Sequence, residues 1–290
     1  MSVSMAYVGV IIIWSTTPLA IAWSNEGVGF IFGVTSRMVI GAMLALIMAA
    51  LLGFGMKWHR RAVLAYAISG LGMYGAMFSI YWSAQYIPSG WISVIFGLSP
   101  VVTAIMAGFW LDGEGLTRHR MAGMFAGLAG LAVIFSTSLN LDDRAAFGVA
   151  GVLLSVFIHS AITVWIKRID AGVPTIVMTS GGLVIAAPLF LMTWLFTHEA
   201  MPSDMSSRTV GAIAYLALFG SVLGFSLYFY VLRHVEATRV ALITLIAPVS
   251  ALLLGHLLNG EPLTMQVMLG SALILSGLAL FELGDRPGRA

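Results

Sequence analysis

An all-α polytopic membrane protein, with ten transmembrane helices in two inverted five-helix repeats around a central cavity, is the fold this sequence predicts. Three observations predict it. The 290 residues are 60% hydrophobic and only 9% charged, against about 25% charged in a soluble domain, and the mean hydropathy is +0.99. Apolar runs of membrane-crossing length follow one another from end to end. Finally, one pattern is written twice: Pro100, Gly113-Glu114, Leu116-Thr117, Gly123 and Gly130-Leu131-Ala132 return as Pro248, Gly260-Glu261, Leu263-Thr264, Gly270 and Gly277-Leu278-Ala279. The offset is 148 residues at the prolines and 147 afterwards, half the chain.

The elements follow in order, each a run of roughly 20 residues that at about 1.5 Å per residue crosses about 30 Å of hydrocarbon. The first covers 5–23. Met1 to Met5 carry no Lys or Arg and no small-residue cleavage site follows, so this run is expected to be a helix and not a cleaved leader. After Asn25-Glu26-Gly27 comes 30–52, which carries Arg37, and after Lys57 to Arg61 comes 62–83, rich in aromatics. Ile87-Pro88-Ser89 opens 89–110 with Pro100, and Asp112 to Arg120 separates it from the glycine-studded run 121–138. The second half repeats the plan: 147–166 with His159, 175–196, 209–232, 238–258 with Pro248, and 265–283. Its breaks are Asn140 to Arg144, Lys167 to Pro174, His198 to Arg208, Arg233 to Arg239 and Asn259 to Leu263, all charged or turn-prone. Helices are expected over a barrel because these runs far exceed the roughly 9–11 alternating residues of a membrane strand.

Five spans per half is an odd number, so the second copy is expected upside down relative to the first, a building plan of secondary transporters. The units are 1–140 and 141–290. Basic residues orient them. With the N-terminus in the cytoplasm, the inner loops hold Lys57, Arg60, Arg61, Arg118, Arg120, Lys167, Arg168, Arg233, Arg239, Arg286 and Arg289, whereas the outer loops hold Arg144 and Arg208. Both termini are therefore expected to be cytoplasmic, in a bacterial inner membrane, with Glu114 inside and Glu261 outside.

Several chemistries are excluded. A net charge of +2 leaves no basic face for nucleic acid, and zero cysteines exclude disulfides, thiolate metal sites and thiol catalysis. Lys57 and Lys167 follow Met56 and Ile166, so there is no Gly-Lys phosphate loop for ATP. His198-Glu199 lacks the second His of a zinc helix. No enzyme, cofactor or metal site is expected.

The chain resembles the EamA-type transporters of the drug/metabolite transporter superfamily. The resemblance covers nearly the whole sequence and rests on Trp14-Ser15-Thr16, the Pro100 and Pro248 helices, the Gly-Glu-x-Leu-Thr turns after them, and the glycine-studded runs 121–138 and 265–283. It implies ten helices in two inverted repeats, a central cavity, and export of small metabolites such as amino acids, sometimes drugs. Many members place a Lys near the outer end of the first helix, where this chain has Ala22.

Candidate substrate-binding residues are few because the spans are so apolar. Pro100 and Pro248 lack an amide hydrogen, which frees the carbonyls of Phe96 and Thr244 for an ammonium, a cation or water, unless the prolines only set a kink. Trp14 is followed by Ser15, Thr16, Thr17 and Pro18, combining polarity with mid-membrane depth. Tyr74, Phe78, Tyr81 and Trp82 share one helical face that lines either a wet cavity or a packed core. Trp82 and Trp91 are expected near the outer interface, together with His256 and Asn259. His159, with Ser155, Thr163 and Ile166 on its side, is the proton-coupling candidate and could bind a carboxylate, or is hydrogen-bonded to a neighbouring helix. Arg37 either binds a substrate carboxylate, snorkels outward or pairs with Glu26, with a structural role favoured. Gly123, Gly127, Gly130, Gly270 and Gly277 allow close helix approach, holding the halves together or forming a homodimer face.

The expected function is a secondary exporter of small metabolites, most of all amino acids including aromatic or apolar ones, by alternating access within the lipid bilayer. The alternatives are multidrug efflux of neutral lipophilic compounds and a passive facilitator or channel.

Overall fold

The computed structural model describes residues 2–110, 118–141, 143–197, 201–235 and 243–283, and all regular structure among them is helical. The elements are α1 (Val3–Ser24), α2 (Phe30–Leu51), α3 (Arg60–Ser83), α4 (Ser89–Phe96), α5 (Ser99–Trp110), α6 (Arg118–Leu141), α7 (Asp143–Ile169), α8 (Thr175–Thr197), α9 (Ser207–Tyr215), a π-helical segment (Leu216–Leu223), α10 (Gly224–His234), α11 (Ile243–Asn259) and α12 (Met265–Leu283). Gly113, Glu114, Leu116, Thr117 and Arg239 lie outside the described residues, as does the side chain of Thr244. Seven helical spans among the described residues are long and apolar enough to cross a membrane, with shorter apolar stretches at Met121–Gly130, Ser250–Asn259 and Met265–Gly277.

Local chemistry sets the helix ends and bends. Ser2 Oγ accepts the Met5 amide at 3.2 Å, His59 Nδ1 the Ala62 amide at 3.3 Å, and Ser206 Oγ the Thr209 amide at 3.0 Å, each satisfying an otherwise orphaned donor at a helix start. Within α1, Ser15 and Thr17 donate to the carbonyls of Ile11 (2.8 Å) and Ile13 (2.7 Å), one turn back, next to Pro18. Such bonds hide hydroxyls from hydrocarbon and bend the helix.

Two of the apolar runs are interrupted. The run 89–110 is two helices, α4 and α5, broken at Gly97-Leu98. Pro100 is therefore in the first turn of α5, where a missing amide costs nothing. The Phe96 carbonyl is not free, as the proline alone predicts, because Ser99 Oγ donates to it at 2.5 Å. The run 209–232 contains the π segment, a geometry concentrated at functional sites.

α1 runs through the middle of the bundle, touching α4, α9, α10 and α11. α3 packs between α7 and α8, α2 lies against α8 and the π segment, α4 against α11, and α5 against α7. Tyr81, Trp91 and Phe190 are among the largest fully buried side chains. Trp91 thus lies in the core and not in an interfacial belt, since α11 covers α4. The outer surface is apolar as well: Leu51, Phe109, Phe196 and Leu257 are all exposed, as befits a bundle whose solvent is lipid.

α6 and α12, the helices that carry the duplicated glycines, pack on each other. A Cβ on Gly130 would lie 2.5 Å from the Gly270 carbonyl oxygen, and one on Gly277 would lie 2.6 Å from that of Gly123. The two backbones are in contact, which only hydrogen side chains permit. The glycine faces are used within the chain, between its first and second halves.

Gly277→Leu is therefore expected to lower stability in detergent by about 1–3 kcal/mol or more, read as a fall in melting temperature. Gly211→Ala, where a Cβ meets nothing within 4 Å, should leave it unchanged or slightly raised.

Candidate functional site

One cavity, with about 690 Å³ of empty space including its open mouth, lies among these helices. Its wall is drawn from both halves of the chain. α1 supplies Trp14, Thr17, Pro18 and Ile21; α2 Arg37; α3 Met77 and Ile80; α4 Ile92, Ser93 and Phe96. From the second half come His159 of α7, Gly220 of the π segment, Phe225 of α10, and Ala247 and Pro248 of α11. The proline-bearing helices α1 and α11, the broken run at α4 and the π segment all contribute.

Four rings form the aromatic part. Trp14 stacks on Tyr228 with centroids 5.1 Å apart and planes at 29°, and meets His159 edge-on at 5.8 Å. His159 also lies 5.3 Å from Phe96 and 5.4 Å from Tyr228. Tyr228 is fixed by a 2.7 Å hydrogen bond between its hydroxyl and Thr163 Oγ1, and Thr163 donates in turn to the His159 carbonyl at 2.8 Å. One turn of α7 thus holds the ring that backs Trp14. The His159 ring makes no hydrogen bond to a described residue: its neighbours are rings, not a polar group of another helix.

Of the residues expected from sequence, Trp14, Thr17, Phe96, His159 and Pro248 line the cavity, and Thr163 stands behind it. Ser15 is buried with its hydroxyl on Ile11, and Pro100 is buried below the break. The α3 stripe faces elsewhere. Tyr74 bonds Thr193 at 2.7 Å and packs on Phe190 of α8, while Phe78 meets Phe30 of α2. Met77 and Ile80 take the cavity side instead. Tyr81 is fully buried against Arg37.

Arg37 is the residue whose place the sequence did not give. It neither snorkels nor pairs with Glu26, which lies 3.7 Å from Arg208. At 1% exposure it sits on the cavity wall, Nε donating to Ser221 Oγ at 2.9 Å and Nη1 to Tyr81 Oη at 3.5 Å. Ser221 comes from the π segment, which no periodicity marks. Depth within an apolar run was the available signal.

At the end of the bundle near Ile21 and Ile92, Glu261 joins elements from both halves. Its carboxylate accepts from Ser89 Oγ (2.6 Å) and the Gly90 amide (3.1 Å) at the start of α4, and from Asn259 Nδ2 (3.1 Å). Trp23 Nε1 of α1 donates to Asn259 Oδ1 at 3.0 Å. An anion at a helix N-terminus is favourable.

Known proteins are similar to this chain along its length. An uncharacterized transporter of Bacillus subtilis (strain 168), YoaV, is 26% identical over 95% of both chains. A probable amino-acid metabolite efflux pump of Escherichia coli (strain K12) is 28% identical over 69% of both. A solved crystal structure superposes with a TM-score of 0.74 at 22% identity, covering 99% of each chain, which is a likeness of fold. The model of the EamA-like transporter family matches residues 1–136 and again 146–283, and with that coverage the chain belongs to the EamA-like transporter family.

Proposed function

We infer that the protein is a secondary exporter of small metabolites, foremost amino acids with aromatic or apolar bodies, working by alternating access. Two five-span repeats, 1–140 and 141–290, lie inverted about the cavity in a bacterial inner membrane, with both termini cytoplasmic. The observation that carries this reading is a cavity walled by residues of both halves, several of them on helices that carry a proline or are broken. The two separate stretches matched by one family model support the repeat. The eleven-to-two division of loop Lys and Arg supports the orientation. Relatives from Salmonella typhimurium and Escherichia coli named as probable amino-acid metabolite efflux pumps support the substrate class.

The wall matches that class. Trp14, Phe96 and Phe225 offer flat apolar faces, which bind side chains through area and ring quadrupole without demanding one shape. His159 is the group on the wall whose protonation can couple to export. Its ring is free of competing hydrogen bonds to the described residues. Because apolar walls equally suit neutral lipophilic compounds, multidrug efflux is the reading to test against.

Proteoliposomes carrying the full chain should take up labelled aromatic and aliphatic amino acids faster with a proton gradient than without. Trp14→Ala should slow uptake roughly tenfold, the loss of one well-packed ring, and His159→Gln should leave uptake indifferent to the gradient. Failure of every amino acid to move would overturn the reading.

Alternating access also needs a closed end, and the Glu261 bridge closes the one proposed to face outward. The chain has no cysteine, so Ser93→Cys reports on the cavity alone. Glu261→Ala should speed its labelling by an impermeant maleimide added outside. An unchanged rate would remove Glu261 from the gate.

A further inference from the structure

Within the cavity one charge lacks an opposite. Arg37 presents five N–H donors, of which Nε is bonded to Ser221 and Nη1 reaches Tyr81 at 3.5 Å, a long contact. No acidic side chain pairs with it among the described residues. Gly220 of the π segment lets the guanidinium lie close against that backbone, since a Cβ there would be 3.0 Å from Nη2. A fully buried guanidinium held by hydroxyls is oriented but not neutralised, and in a low-dielectric wall an unneutralised charge is costly.

Resting on the transport reading above, we propose that Arg37 is the recognition group for the substrate's carboxylate, and that the cavity's substrate class is monocarboxylates with an apolar or aromatic body. The free part of the planar fork takes the carboxylate through charge-assisted hydrogen bonds, while Trp14, Phe96, Phe225 and Met77 hold the body. One guanidinium matches one negative charge. A phosphate monoester needs a second permanent cation, and no Lys or other Arg is among the described lining residues. An α-ammonium is tolerated but not selected, for no described lining residue is Asp or Glu. Its partners are neutral acceptors such as the Trp14 carbonyl, which Pro18, four residues on, leaves without its helical donor. Ser221 and Tyr81 act as positioning residues that aim the guanidinium.

Three compounds with one body decide the class: L-phenylalanine, 3-phenylpropionate and phenethylamine, titrated at pH 8 into the purified full chain, with binding read from tryptophan fluorescence and thermal stabilisation. The two carboxylates are expected to bind roughly tenfold or more tighter than the amine, the scale of a charged hydrogen-bonded contact. Arg37→Met should remove that advantage, and Arg37→Lys, which keeps charge but not fork, should restore part of it. The proposal is overturned if the amine binds as well as the acids, if neither acid binds, or if Arg37→Met leaves acid binding within about twofold. The comparison on the unmutated chain needs no variant to fold. Acids that bind without any flux in proteoliposomes would sink the transport reading and leave this site standing; flux undiminished by Arg37→Met would do the reverse.

Discussion

A polar group placed in hydrocarbon is costly without a partner inside the protein, and many hydroxyls of these helices have one. Within continuous helix, hydroxyls bond back to the carbonyl one turn earlier, as Ser79 does to Gly75 and Ser271 to Val267. Where the ladder is broken, the break is covered by protein: Ser99 fills the carbonyl at the α4–α5 break, and the π segment turns Ser221 inward to Arg37. Irregular backbone at membrane depth is tolerated only when buried in protein or lining a cavity. The cavity is therefore located by the same constraint that shapes the helices.

Rigid and adaptable parts are separated. α6 and α12 touch backbone to backbone through glycines, leaving no side chain to repack. Around the cavity the contacts are rings and flexible side chains, such as Met77 and Phe225, which re-pack at low cost. Directional bonds between the two halves include Thr16 with Tyr215, Arg37 with Ser221, and Glu261 with the start of α4. A transporter needs that division, with a permanent seam between its halves and a site whose wall can open on either side.

The helical spans were legible because hydropathy and length are local properties, and so was the place of Trp14, Phe96, His159 and Pro248 on the cavity wall, since they sit beside helix breakers or at polar positions in apolar runs. The faces were not. On a helix apolar all round, periodicity cannot tell a cavity from lipid or core, so the aromatic stripe of Tyr74 and Phe78 read the same as the Met77 and Ile80 that actually line the wall. Tyr228 and Ser221 escaped notice because their partners, Thr163 and Arg37, are 65 and 184 residues away. The Phe96 carbonyl misled for a local reason: the proline rule assumes a continuous helix, and α4 stops at Phe96 while a new helix starts at Ser99, one residue before Pro100.

How tightly a site of this kind holds its ligand follows from how incompletely Arg37 is satisfied. With a carboxylate of the protein beside it, the guanidinium would be neutral to any ligand; with no partners at all, the folded bundle would carry the full cost of a bare charge. Two hydroxyls lie between these limits, since they orient the fork and share its charge without cancelling it. A substrate carboxylate then gains from the charge while leaving from a wall otherwise made of dispersion contacts, each weak and none directional. Export requires release as much as capture, and one strong contact among many weak ones lets a small motion of the π segment, by turning Ser221 away from Arg37, change affinity at the one charged contact.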